Sequence, residues 1–285
     1  MTKSTHYDYD VFNMYLEHFN LLEKPFHAIT SNPRFFYQAP QYSQVRLKID
    51  YFVKDRGGHI FIFGPIGSGK TTLLKIVGEQ LAQDEHNLVK WVIVPKLKTG
   101  NAFIRRINEE FGVKTERSFD GSVKNFVDFL KGSLEQGLFP VLLVDEAENL
   151  NRECLKLIHY LLAYTTDEDI YLMVVLCGQE DLATNIKKMK ELLSRMFPAA
   201  VSSLSREETE NMMKHRWAIA SQSKSNPFPF SAEAVDLIYK SSRGIPRNIC
   251  RLTDLALLAT YAAEQMEVIP EFVEQARQQE DIDHE

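Results

Sequence analysis

Apolar and polar residues follow one another along the chain in blocks that predict strands and helices in turn. Short apolar runs of the kind that form buried strands occupy residues 59–63, 88–94, 141–144, 170–176 and 200–204. Apolar residues at helical spacing predict helices over 42–52, 72–81, 102–111, 123–134 and 155–164. From residue 206 onward only helical patterns remain, over 207–220, 231–239 and 244–263. Strands that alternate with helices favour a parallel, doubly wound α/β sheet, here followed by a helical subdomain.

The strand at 59–63 leads directly into a glycine-rich segment that fits the GxxxxGK[ST] phosphate loop, known as Walker A. The required setting, a strand before the loop and a helix after it, is present. Glycines let backbone N–H groups turn towards a triphosphate, and the helix N-terminus adds positive potential. Lys70 is expected to reach the β- and γ-phosphates and the Thr71 hydroxyl to coordinate Mg²⁺. The predicted nucleotide-binding residues are Gly64, Pro65, Ile66, Gly67, Ser68, Gly69, Lys70, Thr71 and Thr72.

Two further strand ends carry polar side chains. The run 141–144 ends in Asp145 and Glu146, which is the Walker B pattern. Asp145 is expected to hold Mg²⁺, directly or through water, and Glu146 to orient and polarise the attacking water. Such pairs also occur as solvated carboxylates, but the phosphate loop upstream favours the catalytic role. The next strand closes on the polar side chain of Gln179.

The composition restricts the class of protein but does not indicate a function. The 285 residues are 44% apolar and 25% charged, as in ordinary soluble globular proteins. The net charge of −6 gives no sign of a general polyanion binder, although a local basic stripe could still bind nucleic acid. Three isolated cysteines without a CxxC pair favour neither zinc nor a disulfide framework. No signal-peptide core opens the chain and no apolar run approaches about 20 residues, so a cytoplasmic location is expected.

The strand and loop set, the helical C-terminal block and Gly244-Ile245-Pro246-Arg247 together resemble an AAA+ ATPase. More narrowly, the chain resembles the ExeA/GspA-like group, which is related to transposition ATPases of the TnsC, TniB and MuB type. The stretches that carry this resemblance are 18–21, 24–26, 35–37, 64–71, 145–150, 178–182, 204–209 and 244–247. Asn20 stands where the family usually has glycine, and Tyr42 and Ser43 where a histidine is common, so the details of adenine contact are open.

The resemblance implies a P-loop fold with a five-stranded parallel sheet, a C-terminal helical lid, and Mg²⁺-dependent hydrolysis of ATP to ADP and phosphate. Gln179 would be the first sensor and Arg247 the second. Arg195 is the best candidate for an arginine finger acting on a neighbouring copy, although an exposed arginine at a helix end is the plainer alternative. The catalytic set is therefore Glu146, Lys70, Gln179, Arg195 and Arg247. The expected divisions are an N-terminal arm, the nucleotide-binding subdomain, the lid and an acidic tail, over 1–40, 41–205, 206–270 and 271–285.

Three tasks compete for such an ATPase. The favoured one is regulation of DNA transposition, in which a ring or helical filament assembles on double-stranded DNA, selects a target and recruits a transposase and targeting proteins. Its candidate phosphate contacts are equally compatible with solvated loops, and they are Lys96, Lys98, Thr99, Lys114 and Arg117. The alternative is a soluble ExeA-like ATPase of secretion or type IV pilus assembly. A non-hydrolysing switch would not need the carboxylate of Glu146. The sequence leaves open the client, the subunit number, ring or filament, target preference and any RNA-guided module.

Overall fold

The computed structural model describes residues 7–27, 32–93, 99–166 and 170–282, which fall into two compact units. The sheet unit takes its residues from Pro40–Ile66 and Lys70–Ser202. The helical unit takes its residues from Met1–Ala39, Gly67–Gly69 and Ser203–Glu285. The described part of the predicted N-terminal arm therefore groups with the C-terminal helices.

The sheet has five parallel strands, as predicted. In chain order they are β1 (His59–Phe63), β2 (Asn87–Ile93), β3 (Phe139–Asp145), β4 (Met173–Gly178) and β5 (Met196–Ala200). Their order across the sheet is β2-β3-β4-β1-β5. Parallel strands place their carboxyl ends at one edge of a sheet, so the ends of β1, β3 and β4 lie side by side there.

The described residues form α-helices in both units. In chain order they are α1 (Tyr7–His18), α2 (Pro40–Asp55), α3 (Lys70–Leu81), α4 (Gly100–Phe111), α5 (Phe119–Glu135), α6 (Arg152–Leu161), α7 (Glu180–Lys187), α8 (Lys190–Leu193), α9 (Arg206–Ala220), α10 (Ala232–Ser242), α11 (Pro246–Ala262) and α12 (Pro270–Ile282). No helix in the described ranges combines the length and the apolar character that crossing a membrane requires.

The last strand begins earlier than predicted. The sequence predicted a strand over 200–204, whereas α8 ends at Leu193 and β5 spans Met196–Ala200. Pro198 has no N–H to donate to a neighbouring strand, so it disfavours a strand in the interior of a sheet. Because β5 is an edge strand, proline is tolerated there. On its outer side the Pro198 carbonyl oxygen accepts a hydrogen bond from Lys48 of α2, at 3.3 Å.

The core of the sheet unit lies between the strands and helices α4 to α6. Leu142, Val144, Val174 and Leu176 are fully buried there among the apolar faces of these helices. Local signals fix the helix ends: the Thr99 hydroxyl accepts a hydrogen bond from the backbone N–H of Ala102, and Gly112 ends α4 in the left-handed conformation.

In the helical unit, α9 begins with a capping box. The Ser205 hydroxyl accepts from the Glu208 N–H, and the Glu208 carboxylate accepts from the Ser205 N–H. Three aromatic side chains of the N-terminal arm, Phe19, Phe26 and Phe35, pack within this unit and are almost fully buried. These three rings therefore serve as core side chains. The unit is tied further by the guanidinium of Arg216, which donates to the carbonyl oxygens of Pro25, His27 and Phe35.

Candidate functional site

The phosphate loop is shaped by close backbone approaches. Gly67 and Gly69 have φ angles of +79° and +86°, which glycine adopts at little cost. A Cβ on Gly64 would lie 2.0 Å from the carbonyl oxygen of Val201, so this position has room only for hydrogen. The loop residues Thr71 and Thr72 are partly buried at the start of α3, and Ser68 is fully buried.

Lys70 is held inside the loop that it follows. Its side chain is mostly buried, and its ammonium nitrogen donates to the carbonyl oxygens of Gly64 and Pro65 at 2.9 and 2.7 Å. A buried ammonium group needs such acceptors, because unpaired burial of a charge is costly. The cation therefore lies where a triphosphate bound by this loop would bring its negative charge.

The acidic pair divides into an inward and an outward residue. Asp145, the last residue of β3, is 5% exposed, and its carboxylate accepts a hydrogen bond from the Glu146 N–H at 3.0 Å. Glu146 is exposed and has left-handed backbone angles, φ 53° and ψ 35°. For a residue with a side chain this conformation is strained, typically by about 1–3 kcal/mol. The turn thus leaves the Asp145 carboxylate buried at the end of β3, whereas the Glu146 side chain is exposed to solvent.

The donor set fits a magnesium ion that arrives with a triphosphate. Among the described residues no three or more His, Cys, Asp and Glu side chains cluster as a metal cage. Mg²⁺ does not require a cage, since it is usually held by one or two protein groups together with phosphate oxygens and water. The Asp145 carboxylate and the Thr71 hydroxyl supply oxygen ligands of that kind.

Cys177, in β4, is a neighbour of this site that the sequence did not single out. The thiol is fully buried, and burial raises its pKa well above the usual range. The Asp145 carboxylate, with which the thiol forms a hydrogen bond, raises this pKa further, whereas the charge of Lys70 acts in the opposite direction. The protonated thiol is therefore a donor to the carboxylate expected to bind metal.

Gln179, the predicted first sensor, directly follows the carboxyl end of β4. It is the N-cap residue of α7, and its backbone N–H donates to the Glu148 carboxylate at 3.2 Å. Glu148 belongs to the short 3₁₀ helix Ala147–Asn149 that follows Glu146. Sequence reasoning assigned Glu148 no role, although it falls within the stretch 145–150.

Arg195 lies at the amino end of β5, at the opposite end of the sheet from Asp145 and Gln179. Five extended residues separate the two ends of such a strand by roughly 16 Å. Its side chain is exposed, yet the guanidinium donates to the Leu162 carbonyl oxygen at 2.8 Å. The sheet unit therefore does not bring Arg195 together with the other predicted catalytic residues of the same copy.

Arg247, the predicted second sensor, lies in the first turn of α11, after Pro246. Within the helical unit its backbone N–H donates to the Gly67 carbonyl oxygen at 3.2 Å. A Cβ on Gly67 would approach the Cβ of Arg247 to 2.7 Å. This motif and Gly67 are thus in direct backbone contact.

The predicted DNA contacts are only partly described. Lys96 and Lys98 lie outside the described residues. The Thr99 hydroxyl caps α4, and Lys114 pairs with Glu116 at 2.8 Å, which lowers the pKa of the Glu116 carboxyl. Arg117 is exposed.

Comparison with known proteins agrees with this architecture. Residues 53–186 match the family model described as "AAA domain". The crystal structure of Cdc6p from Pyrobaculum aerophilum superimposes with a TM-score of 0.69, over 91% of this chain and 71% of that one, at 16% identity. The chain has an AAA-type P-loop fold. Drosophila ORC bound to DNA shares the AAA-type fold with a TM-score of 0.65 over 97% of this chain and 68% of that one, at 17% identity. The Thermotoga maritima RuvB Holliday junction branch migration motor also shares this fold, with a TM-score of 0.55 over 86% of this chain and 70% of that one, at 18% identity.

A similarity in sequence extends beyond the matched domain. General secretion pathway protein A of Aeromonas hydrophila is 28% identical over 263 residues. The aligned region covers 90% of this chain and 46% of that protein, so the chain spans a little less than half the length of this relative.

Proposed function

We propose that the chain is a Mg²⁺-dependent ATPase module of the ExeA/GspA-like type. The observation that carries the proposal is the placement of three residues on adjacent parallel strands: Asp145 ends β3, Gln179 directly follows β4, and Lys70 follows the loop after β1. Ligands of doubly wound sheets bind at this edge. The AAA-type fold and the similarity to General secretion pathway protein A support the same conclusion.

The residues divide the work of phosphoryl transfer to water. Lys70 and the loop N–H groups hold the phosphates. Thr71 and Asp145 would hold Mg²⁺, which would neutralise the developing charge. Glu146, exposed on its strained turn, orients and polarises the attacking water. Gln179 places that water beside the γ-phosphate, and Arg247 is proposed as the second sensor of the nucleotide.

The module works as an oligomer in which Arg195 acts on a neighbouring copy. The position of Arg195 at the amino end of β5 supports this, since it is remote from Asp145 of its own copy. A contact between two different surfaces of identical chains closes into a ring or continues as a helical filament. An arginine finger supplied in this way can raise turnover by about 10³-fold or more.

The task that the comparisons favour is energy supply to envelope secretion or type IV pilus assembly. The support is the relative from Aeromonas hydrophila, which aligns over 90% of this chain. Since ATP is the substrate, the module would work on the cytoplasmic side.

A DNA-associated function, which includes transposition, is the second candidate. The observation in its favour is the fold shared with Drosophila ORC, whose structure is described as bound to DNA. Against it, the Thr99 hydroxyl and Lys114 already have partners within the chain.

Glu146→Gln tests the ATPase proposal. The variant should bind ATP as tightly as the native protein but hydrolyse it at least about 100-fold more slowly, because the amide cannot accept a proton from water. Glu79→Gln, an exposed position on α3, is the matched control and should hydrolyse normally. Unchanged turnover in Glu146→Gln would remove this residue from the mechanism.

Binding to duplex DNA distinguishes the secretion function from the DNA-associated function. Electrophoretic mobility should be measured with ATP and with ADP, at low and at high salt. The secretion proposal predicts no nucleotide-dependent shift. A shift that requires ATP and weakens steeply with salt would instead support the DNA-associated function.

A further inference from the structure

Glu148 joins the two strand ends that carry the predicted catalytic residues. Its carboxylate accepts the backbone N–H of Gln179 at 3.2 Å, and Gln179 is the residue from which α7 begins. The Gln179 side chain itself makes no capping hydrogen bond to α7. Glu148 is thus the group that fixes the backbone at the start of this helix while the Gln179 side chain remains available.

The contact between these turns is close enough to be sensitive to one methyl group. A Cβ on Gly178 would lie 2.5 Å from the Glu148 carboxylate and 2.9 Å from its backbone nitrogen. Real Cβ atoms do not approach so closely, so Gly178 allows the turn after β3 to lie directly on the end of β4. On the other side, Leu150 and Leu182 belong to one buried cluster, which anchors both segments.

The carboxylate also suits its place electrostatically. The amino end of α7 carries partial positive charge, and a carboxylate that accepts a backbone N–H there forms a charge-assisted hydrogen bond. Glu148 is the second residue of the 3₁₀ helix Ala147–Asn149, which directly follows Glu146. A shift of Gln179 is therefore linked to a shift of Glu146 through the hydrogen bond of Glu148.

We propose that Glu148 is a positioning residue that sets the place of Gln179 relative to Glu146 for hydrolysis. This inference rests on the proposed ATPase function. It assigns Glu148 no contact with nucleotide, and it predicts an effect on turnover rather than on affinity.

The test compares Glu148→Ala with Glu148→Gln, which keeps an acceptor oxygen, and with Asp181→Ala. Asp181 is an exposed carboxylate in the first turn of α7 and serves as the matched control. In Glu148→Ala the single-turnover rate should fall about 10-fold or more while the Kd for ATP changes less than about 2-fold, because small misplacements of positioning groups cost rate. Glu148→Gln should recover most of the rate, and Asp181→Ala should match the native protein.

Amide hydrogen exchange at Gln179 provides a readout that does not depend on hydrolysis. Its N–H should exchange about 10-fold faster in Glu148→Ala than in the native protein, and at nearly the native rate in Glu148→Gln. Should Glu148→Ala prove too unstable, Glu148→Asp takes its place, since the shorter carboxylate should lose the same contact. Native exchange and turnover in Glu148→Ala, or equal loss in the alanine and glutamine variants, would overturn the inference. Absence of hydrolysis in the native protein would instead overturn the proposed function, and the exchange rates would still decide the role of Glu148.

Discussion

The backbone nitrogen of Arg247 donates a hydrogen bond to the carbonyl oxygen of Gly67 at 3.2 Å. Gly67 belongs to the phosphate loop by sequence and to the helical unit by its contacts. Its φ of +79° and the closeness of the Arg247 Cβ leave no room for a side chain. The geometry of this loop residue is therefore set by the first turn of α11.

We predict that Gly67→Ala lowers both stability and ATP affinity. A left-handed φ costs an alanine about 1–2 kcal/mol, and the added methyl group must displace Arg247. Urea unfolding and a titration with fluorescent ATP measure the two effects. Gly132→Ala in α5 is the control, because no described atom apart from its chain neighbours and the nearby backbone of α5 lies within 4 Å of its Cβ position. That control should gain up to about 1 kcal/mol in helix stability, and equal behaviour of the two variants would contradict the role of Gly67.

Arg195→Ala should lose turnover and regain it in a mixture. In an oligomer that shares its sites, Arg195→Ala supplies intact Glu146, while Glu146→Gln supplies the arginine. Each variant alone should be nearly inactive, whereas an equimolar mixture should recover a measurable fraction of native turnover. The native rate per subunit should also rise with protein concentration.

Lys190→Ala, an exposed position on α8, is the control for Arg195 and should keep native turnover. An Arg195→Ala protein that is fully active by itself would end the arginine-finger proposal. An inactive variant that no partner rescues would assign Arg195 to its hydrogen bond with Leu162 instead.

His59 should make the protein sensitive to acid. Burial, with the nearby charge of Arg195 as a second cause, lowers the pKa of His59 from 6.5 to about 4, and its Nδ1 accepts the Val174 N–H at 3.4 Å. A pKa that is lower in the folded state gives stability that is complete above pH 6.5 and is lost as the pH falls towards 4. The full loss corresponds to about 3 kcal/mol of unfolding free energy.

Urea unfolding between pH 7 and pH 5 measures this effect. His59→Asn keeps an acceptor near Val174 but cannot titrate, so its stability should fall less over this range than that of the native protein. His86→Asn, at an exposed ring that pairs with Asp84, should retain the loss of stability towards acid that the native protein shows. Parallel curves for the native protein and His59→Asn would show that His59 does not cause the acid sensitivity.

Much of the fold could be predicted because local and global signals agree. The phosphate loop, the five parallel strands and the capping box of α9 are each encoded within a few consecutive residues. The start of β5 could not be predicted, since Pro198 opposes a strand everywhere except at a sheet edge, and the edge position is a property of the assembled sheet.

Some residues of the candidate site could likewise be predicted from the sequence, and others could not. The roles proposed for Lys70 and Asp145 follow from a motif, whereas Glu148 and Cys177 gain their meaning from strands that are adjacent only in space. Register decides which residues meet across a sheet, and a single sequence does not state the register. The roles of Gln179, Arg195 and Arg247 stay predictions until the variants are measured.

The outer rim of β5 gives the protein a safeguard against fibre formation. At Pro198 there is no amide hydrogen to offer a foreign strand, and the outward carbonyl oxygen is already engaged by Lys48. An incoming segment would have to forgo two backbone bonds at the middle of a five-residue rim. Another strand could therefore extend the sheet at β5 only by leaving these backbone positions unpaired.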